Sequence, residues 1–172
     1  MTKLRYGVAM SLDGFIAGPN GEADWIVAEP EFDFVSLWAE FDTLLMGRRT
    51  YEAAIKRLGK SWIKGMTVAV ASRTLQPSDD SGVTIIRELS REVLRALRAK
   101  SKNDIWLFGG GELARDVLNL GEIDRVEISL IPVLLGTGIP LVAPSAREAK
   151  LKLVQQKVYP TGRVHLIYDV VD

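Results

Sequence analysis

The chain has 172 residues and a mass of 19.0 kDa, the size of one domain that buries about 70% of its unfolded surface. Hydrophobic residues make up 47% and charged residues 26%, which excludes a disordered, collagen-like or low-complexity chain. Lys and Arg number 22 and Asp and Glu 22, so no broad cationic field exists to hold nucleic acid, and with no Cys there is no disulfide, thiolate catalysis or thiolate metal site.

Apolar periodicity predicts alternating strands and helices. Leu4 to Met10 reads as a first strand, followed by turn signals at Asp13-Gly14 and Pro19-Asn20-Gly21. Phe34, Leu37, Trp38 and Phe41 predict a helix from Glu31 to Phe41, and Thr43 to Met46 a short buried strand ending at Gly47. Tyr51, Ala54, Ile55 and Leu58 mark a second helix, then Thr67 to Ala71 and Val83 to Ile86 read as strands. Ser90 is placed to cap a helix carrying Val93, Leu94 and Leu97. Ile105 to Phe108 is a strand, Gly109-Gly110-Gly111 leads into a helix with Leu113, Val117 and Leu118, and Val126 to Ile131 is the next strand. From Leu151 onward two long strands flank a turn at Tyr159-Pro160-Thr161-Gly162. This order predicts one domain over residues 1–172: a three-layer α/β/α sandwich with a mostly parallel sheet and a C-terminal antiparallel hairpin.

The one histidine, His165, excludes a multi-histidine zinc site and a Ser/His/Asp triad, and its apolar neighbours make it a strand histidine at a sheet surface. No metal is expected. Lys3 and Arg5 precede an apolar run, but Ser11, Asp13 and Gly14 break it and no cleavage site follows. No apolar run approaches the ~18 residues of a membrane span. The expectation is a cytoplasmic protein that engages neither membrane nor nucleic acid.

Open sheets of this kind bind ligands beyond the carboxyl ends of their strands. Three junctions there suit a phosphate ester. At Gly47-Arg48-Arg49-Thr50 a helix start offers free N–H groups, a hydroxyl and fixed charge; a solvated Arg-Arg face is the alternative. At Gly109-Gly110-Gly111-Glu112-Leu113 the glycines let a phosphate approach the backbone; the alternative is a turn that permits tight helix packing. At Ser72-Arg73 a hydroxyl beside a guanidinium fits a dianion, and a plain surface turn is the alternative.

Taken together these segments resemble the dihydrofolate reductase superfamily over almost the whole chain. Thr43 to Glu52 resembles its second strand and following helix, Phe108-Gly109-Gly110-Gly111-Glu112 its pyrophosphate turn with a cis Gly-Gly peptide, and Val70-Ala71-Ser72-Arg73 its cofactor-phosphate strand end. Ala9 to Ala17, and Ile123 to Gly136, resemble the reductase domain of the bifunctional riboflavin-biosynthesis deaminase–reductase. The resemblance implies NADPH as cofactor, with its nicotinamide against Ala9, Ile16 and Ala17. It implies hydride transfer to a small heterocycle or sugar imine or carbonyl, of the 5-amino-6-(5-phosphoribosylamino)uracil reductase type. A homodimer is implied as well.

The sequence departs from that pattern at Gly7, where the riboflavin enzyme has Lys, and at Phe108, where it has Glu. Without Cys the zinc deaminase domain is not expected. Against dihydrofolate reductase itself, Ala23-Asp24 replaces the Pro before Trp25, and Ala114 replaces an aromatic, which implies extra room at the nicotinamide. Asp13, Asp24 and Trp25 are the implied substrate contacts. Glu31 or Asp33 would supply a carboxylate, and Ser129 a hydroxyl near the substrate. Asp13 also reads as a turn former and Glu31 as a first-turn helix residue. Three functions stand: the riboflavin-type reductase, a dihydrofolate or pterin reductase, and a non-catalytic NADPH-binding module. A Rossmann dehydrogenase is disfavoured by the late position of the glycines.

Overall fold

The structure is a computed structural model that describes residues 1–76 and 82–171. Along the chain run β1 (Leu4–Ser11), β2 (Phe15–Ala17), α1 (Phe34–Ala39), β3 (Phe41–Gly47), α2 (Arg48–Leu58), a 3-10 turn (Lys60–Ile63), β4 (Thr67–Ala71), β5 (Val83–Ile86) and α3 (Arg91–Lys100). They are followed by β6 (Asp104–Gly109), α4 (Gly111–Asn119), β7 (Arg125–Ile131), β8 (Ile139–Pro140), β9 (Lys150–Val158) and β10 (Val164–Val171). Eight strands make one sheet in the order β5-β4-β3-β6-β1-β7-β10-β9. The pairings from β5 through to β7 are parallel, and β10 and β9 add antiparallel strands at one edge. β2 and β8 pair separately.

Helices cover both faces of the parallel part. Leu94 and Leu97 of α3 and Leu113, Ala114 and Val117 of α4 pack on Leu4, Tyr6, Leu45, Ile105 and Leu107. On the opposite face Leu37 and Trp38 of α1 and Tyr51 and Ile55 of α2 pack on Leu44, Met46, Val68, Val70 and Trp106. Leu44, Leu45 and Met46 are all fully buried because successive side chains of β3 enter opposite cores. The doubly covered parallel sheet is therefore written as unbroken apolar runs.

Several expected boundaries move. The helix expected over Glu31–Phe41 is only Phe34–Ala39, because Asp33 caps it: its Oδ1 accepts from Ser36 N at 2.9 Å. Glu31 stands before the helix, and Phe41 already begins β3. The second helix starts at Arg48, directly on the strand end, as the Gly47-Arg48-Arg49-Thr50 junction predicts. Ser90 caps α3 as expected, accepting from Val93 N. Cover on both faces stops short of the hairpin, where β9 is exposed along its whole length.

Candidate active site

β3 and β6 lie side by side and parallel, with Met46 opposite Gly109. Each runs straight into a helix, so α2 and α4 begin next to one another. Neither start carries a side-chain cap: Gly47 precedes α2 and Gly110 precedes α4. A helix start leaves N–H groups unpaired and a positive dipole end. A methyl on Gly47 would stand 3.9 Å from Gly109 O and Gly110 N, and one on Gly110 would stand 3.6 Å from Thr50 Oγ1. Glycine thus keeps open a cradle between two helix N-termini, with Thr50 on its wall.

The three glycines of the late junction answer to three constraints. Gly109 has φ +120°, a conformation that side chains disfavour, and its peptide to Gly110 is cis. Gly110 borders the cradle. Gly111 serves packing: a Cβ there would meet Pro140 O at 2.4 Å, and its carbonyl accepts from Ala143 N. The packing reading of this turn holds at Gly111, and Gly109 and Gly110 leave the cradle open. Leu113 is corrected to a core side chain with only its backbone near the cradle. Ala114 is fully buried beneath α4, so it opens no room at a nicotinamide. Glu112 is exposed in the first turn of α4.

Beyond β3, the ends of β4 and β5 lie together, Ala71 opposite Ile86. Ser72 Oγ accepts from the backbone N–H groups of Thr74 and Leu75, which folds the turn after β4. Arg48 reaches Thr74 Oγ1 at 2.7 Å and Glu52 Oε1 at 2.7 Å. Arg87 Nη1 donates to Arg73 O at 2.9 Å. Three exposed arginines, Arg48, Arg73 and Arg87, thus stand around one turn beside the cradle, with Arg49 next on α2. Arg87 escaped the sequence reading. It follows its strand as Arg73 follows β4, and the strand-end rule applied to Val83–Ile86 finds it.

The other side of the cradle leads to Ala9. It lies opposite Ser129, which lies opposite His165. Ser129 Oγ and His165 Nδ1 are 3.2 Å apart. Phe32 meets the imidazole edge-on, with centroids 5.3 Å apart. Burial pushes the His165 pKa down, against the pull of Glu127. Phe108, the last side chain before the glycines, joins an aromatic wall with Trp62 at 5.4 Å and Trp106 at 5.2 Å, and Trp38 stands 5.7 Å from Trp106.

The expected acids lie elsewhere or are engaged. Both Asp33 oxygens bond Ser36, through its N and its Oγ, which holds the carboxyl below the usual range; it is a helix cap, not an acid poised to give a proton. Glu31 is exposed and outside α1. Asp13 accepts from Ser11 Oγ at 2.6 Å, from Leu135 N and from Gly136 N, so it is the turn former, tying the turn after β1 to the loop after β7. Asp24 is exposed, and Trp25 Nε1 donates to Glu22 O. Ile16 and Ala17 are half-buried on β2, whose partner is β8.

A parallel sheet with an antiparallel edge and a glycine-lined cradle between two helix starts define a dihydrofolate reductase-like α/β domain. Dihydrofolate reductase from Enterococcus faecalis has the same fold, with a TM-score of 0.67 at 18% identity over 99% of this chain and 97% of that one. A solved structure from Shewanella sp. PV-4 superposes with a TM-score of 0.85 at 26% identity, covering all of both chains. The RibD C-terminal domain model matches residues 2–165, and the chain belongs to that family, the reductase domain of RibD. The Bacillus subtilis protein YyaP is 32% identical, over 94% of this chain and 91% of its own length. The riboflavin biosynthesis protein RibD of Mycobacterium tuberculosis is 30% identical over 78% of this chain but only 43% of its own length. The chain thus spans less than half of that RibD.

Proposed function

We propose that the protein is an NADPH-dependent reductase that transfers hydride to the C=N or C=O carbon of a small heterocycle or sugar imine. The convergence of two uncapped helix starts on one glycine-lined cradle carries this reading. Such a site favours a pyrophosphate. The first-turn N–H groups of α2 and α4 and Thr50 would hold it. Arg48, Arg73 and Arg87 would take the 2′-phosphate by charge-assisted hydrogen bonds. The exposed Arg48–Glu52 pair is worth little, so Arg48 exchanges partners at small cost.

When bound, the dihydronicotinamide supplies the hydride. The chain orients the reacting centres and excludes water along the Ala9 row and the Phe108 wall. Family membership supports a substrate of the riboflavin-biosynthesis type, and cytoplasmic placement goes with it. The absence of a cation at Gly7 favours a heterocycle without dependence on a phosphoribosyl group. The engaged Asp33 counts against a dihydrofolate or pterin reductase.

Thermal unfolding with each cofactor tests the binding site. NADPH should raise Tm more than NADH at equal concentration; no rise with either overturns the proposal. Absorbance at 340 nm across imines, ketoses, ribosylaminopyrimidines and dihydrofolate then tests turnover. Binding with no oxidation across that set identifies a non-catalytic module instead.

A further inference from the structure

We infer that His165, acting through Ser129, is the positioning residue for the proton side of the reduction. The inference rests on the nicotinamide reading of the glycine cradle. The row Ala9–Ser129–His165 crosses three neighbouring strands in register and on one face. Ala9 is where that reading puts the ring, and adjacent strands are about 4.8 Å apart, so His165 stands about 10 Å away. Ser129 fills the gap, its Oγ 3.2 Å from Nδ1. Among the described residues Nε2 makes no hydrogen bond, whereas the ring itself is held by Phe32.

The loop bearing Phe32 is anchored to the β9–β10 turn. Thr161 Oγ1 donates to Glu29, a buried carboxylate, and Arg163 Nη2 donates to Val27 O at 2.8 Å. The imidazole is therefore fixed in orientation and partly desolvated. The charged groups facing it are Glu127 on β7, Arg5 on β1 and Arg163 in the turn just before β10. Lys157 lies opposite on β9. The balance of burial and charge keeps the ring neutral at pH 7, and a neutral imidazole both gives and takes a proton.

Reduction places a hydride on the carbon of a C=N or C=O bond and sends the π pair to the heteroatom. The dihydronicotinamide is oxidised, and the heteroatom needs a proton. Ser129 Oγ gives its proton to that atom and takes the one on His165 Nδ1. Nε2 of the same ring takes a proton from solvent, so His165 ends neutral in its other tautomer. Neither residue changes net charge over the cycle, and the carboxylates engaged elsewhere are not needed.

The sole histidine makes the test direct. In protein carrying labelled histidine, NMR titration reads the His165 pKa in the complexes with NADPH and with NADP+. The two nicotinamide rings differ by one positive charge. At about 10 Å that difference should put the His165 pKa lower with NADP+ by about half a unit or more. Ser129→Ala should shift the Nδ1 resonance in the free protein. Equal titration in the two complexes overturns the inference, provided the Gly109 to Gly111 amides report both cofactors bound. If those amides respond to neither cofactor, the nicotinamide reading falls, and this inference with it.

Discussion

Trp106 Nε1 donates to the carbonyl of Gly7 at 2.8 Å, and a Cβ at position 7 would lie 2.8 Å from the same nitrogen. The indole therefore occupies the space into which any side chain at position 7 would project. Trp106 is itself held by Phe41 at 4.8 Å and Trp38 at 5.7 Å, so it cannot step aside cheaply. Gly7→Lys, which restores the residue of the riboflavin enzyme, should destabilise the fold by about 1–3 kcal/mol. Urea unfolding measures it, and an unchanged midpoint would show that the indole swings away freely. The departure at Gly7 is thus half of a packing pair whose other half is Trp106.

A second buried pair sits at the base of the same strand. Arg5 Nε donates to Glu127 at 2.5 Å, and both side chains are 4% exposed. The guanidinium also meets Glu40 and Asp104 and lies over the Phe41 ring, 4.4 Å from its centroid. Burial opposes its charge, but Glu127 and Glu40 outweigh burial and raise its pKa. Arg5→Met should cost about 3–5 kcal/mol, because it strands the Glu127 carboxylate. Arg5→Met with Glu127→Leu should recover much of that loss. Denaturant midpoints of the single and double variants check this; a double variant no better than the single refutes it.

Stability should fall in two stages as pH drops. His165 is held neutral by burial, so it binds its proton more weakly folded than unfolded. Its contribution is complete above its ordinary value of 6.5 and is lost as pH falls from there towards the lowered folded value. Asp13, Asp33, Glu29 and Asp169 are held below the usual carboxylate range by Ser11, Ser36, Thr161 and Arg125. Their contribution is present above about pH 4 and is lost as pH falls through their folded values. Tm against pH should therefore bend first below about 6.5 and again below about 4. His165→Gln should remove the first bend alone, and a first bend that survives would assign it to another group.

The sequence carried the sheet and the cradle because both are written locally. Gly109 needs glycine for its φ of +120°, Gly47 and Gly110 stand where a Cβ would project into the cradle, and Leu44-Leu45-Met46 reads as a doubly buried strand. It misled at the acids because a carboxylate near a helix start reads equally as cap or catalyst. Only the path of the chain shows that Asp33 is bound to Ser36. His165 was legible as a strand residue but not as a neighbour of Ser129, since 36 residues separate them and register alone joins them. The β2–β8 pair was missed because three residues facing two carry no periodicity.

Gly47→Ala separates the fold from the cofactor site. Gly47 has φ −75° and ψ 161°, a conformation any residue adopts, and its methyl would meet nothing closer than 3.9 Å. Stability should change by less than about 1 kcal/mol. The methyl would nevertheless stand between the two helix starts, where the pyrophosphate is proposed to lie. NADPH affinity by calorimetry should fall about tenfold or more. Arg73→Ala and Arg87→Ala should instead shrink the preference for NADPH over NADH while sparing NADH. Full NADPH affinity in Gly47→Ala would place the cofactor elsewhere.

The edge of the sheet predicts the assembly. β9 turns Leu151, Leu153 and Val158 to one face, opposite Val170, Tyr168 and Val164 of β10. They are 46%, 45% and 70% exposed, too much contiguous apolar surface for a free face. Lys150, Lys152 and Lys157 take the other face, and lysines on an edge strand oppose addition of a further strand. A second copy should therefore cover the apolar face of the hairpin, not extend the sheet. Light scattering should give twice the 19.0 kDa of one chain. Leu151→Lys with Leu153→Lys should return it to the monomer mass without loss of NADPH binding, since β6 and β3, which carry the cradle, lie four and five strands away across the sheet. A wild-type monomer at micromolar concentration would remove the hairpin as an interface.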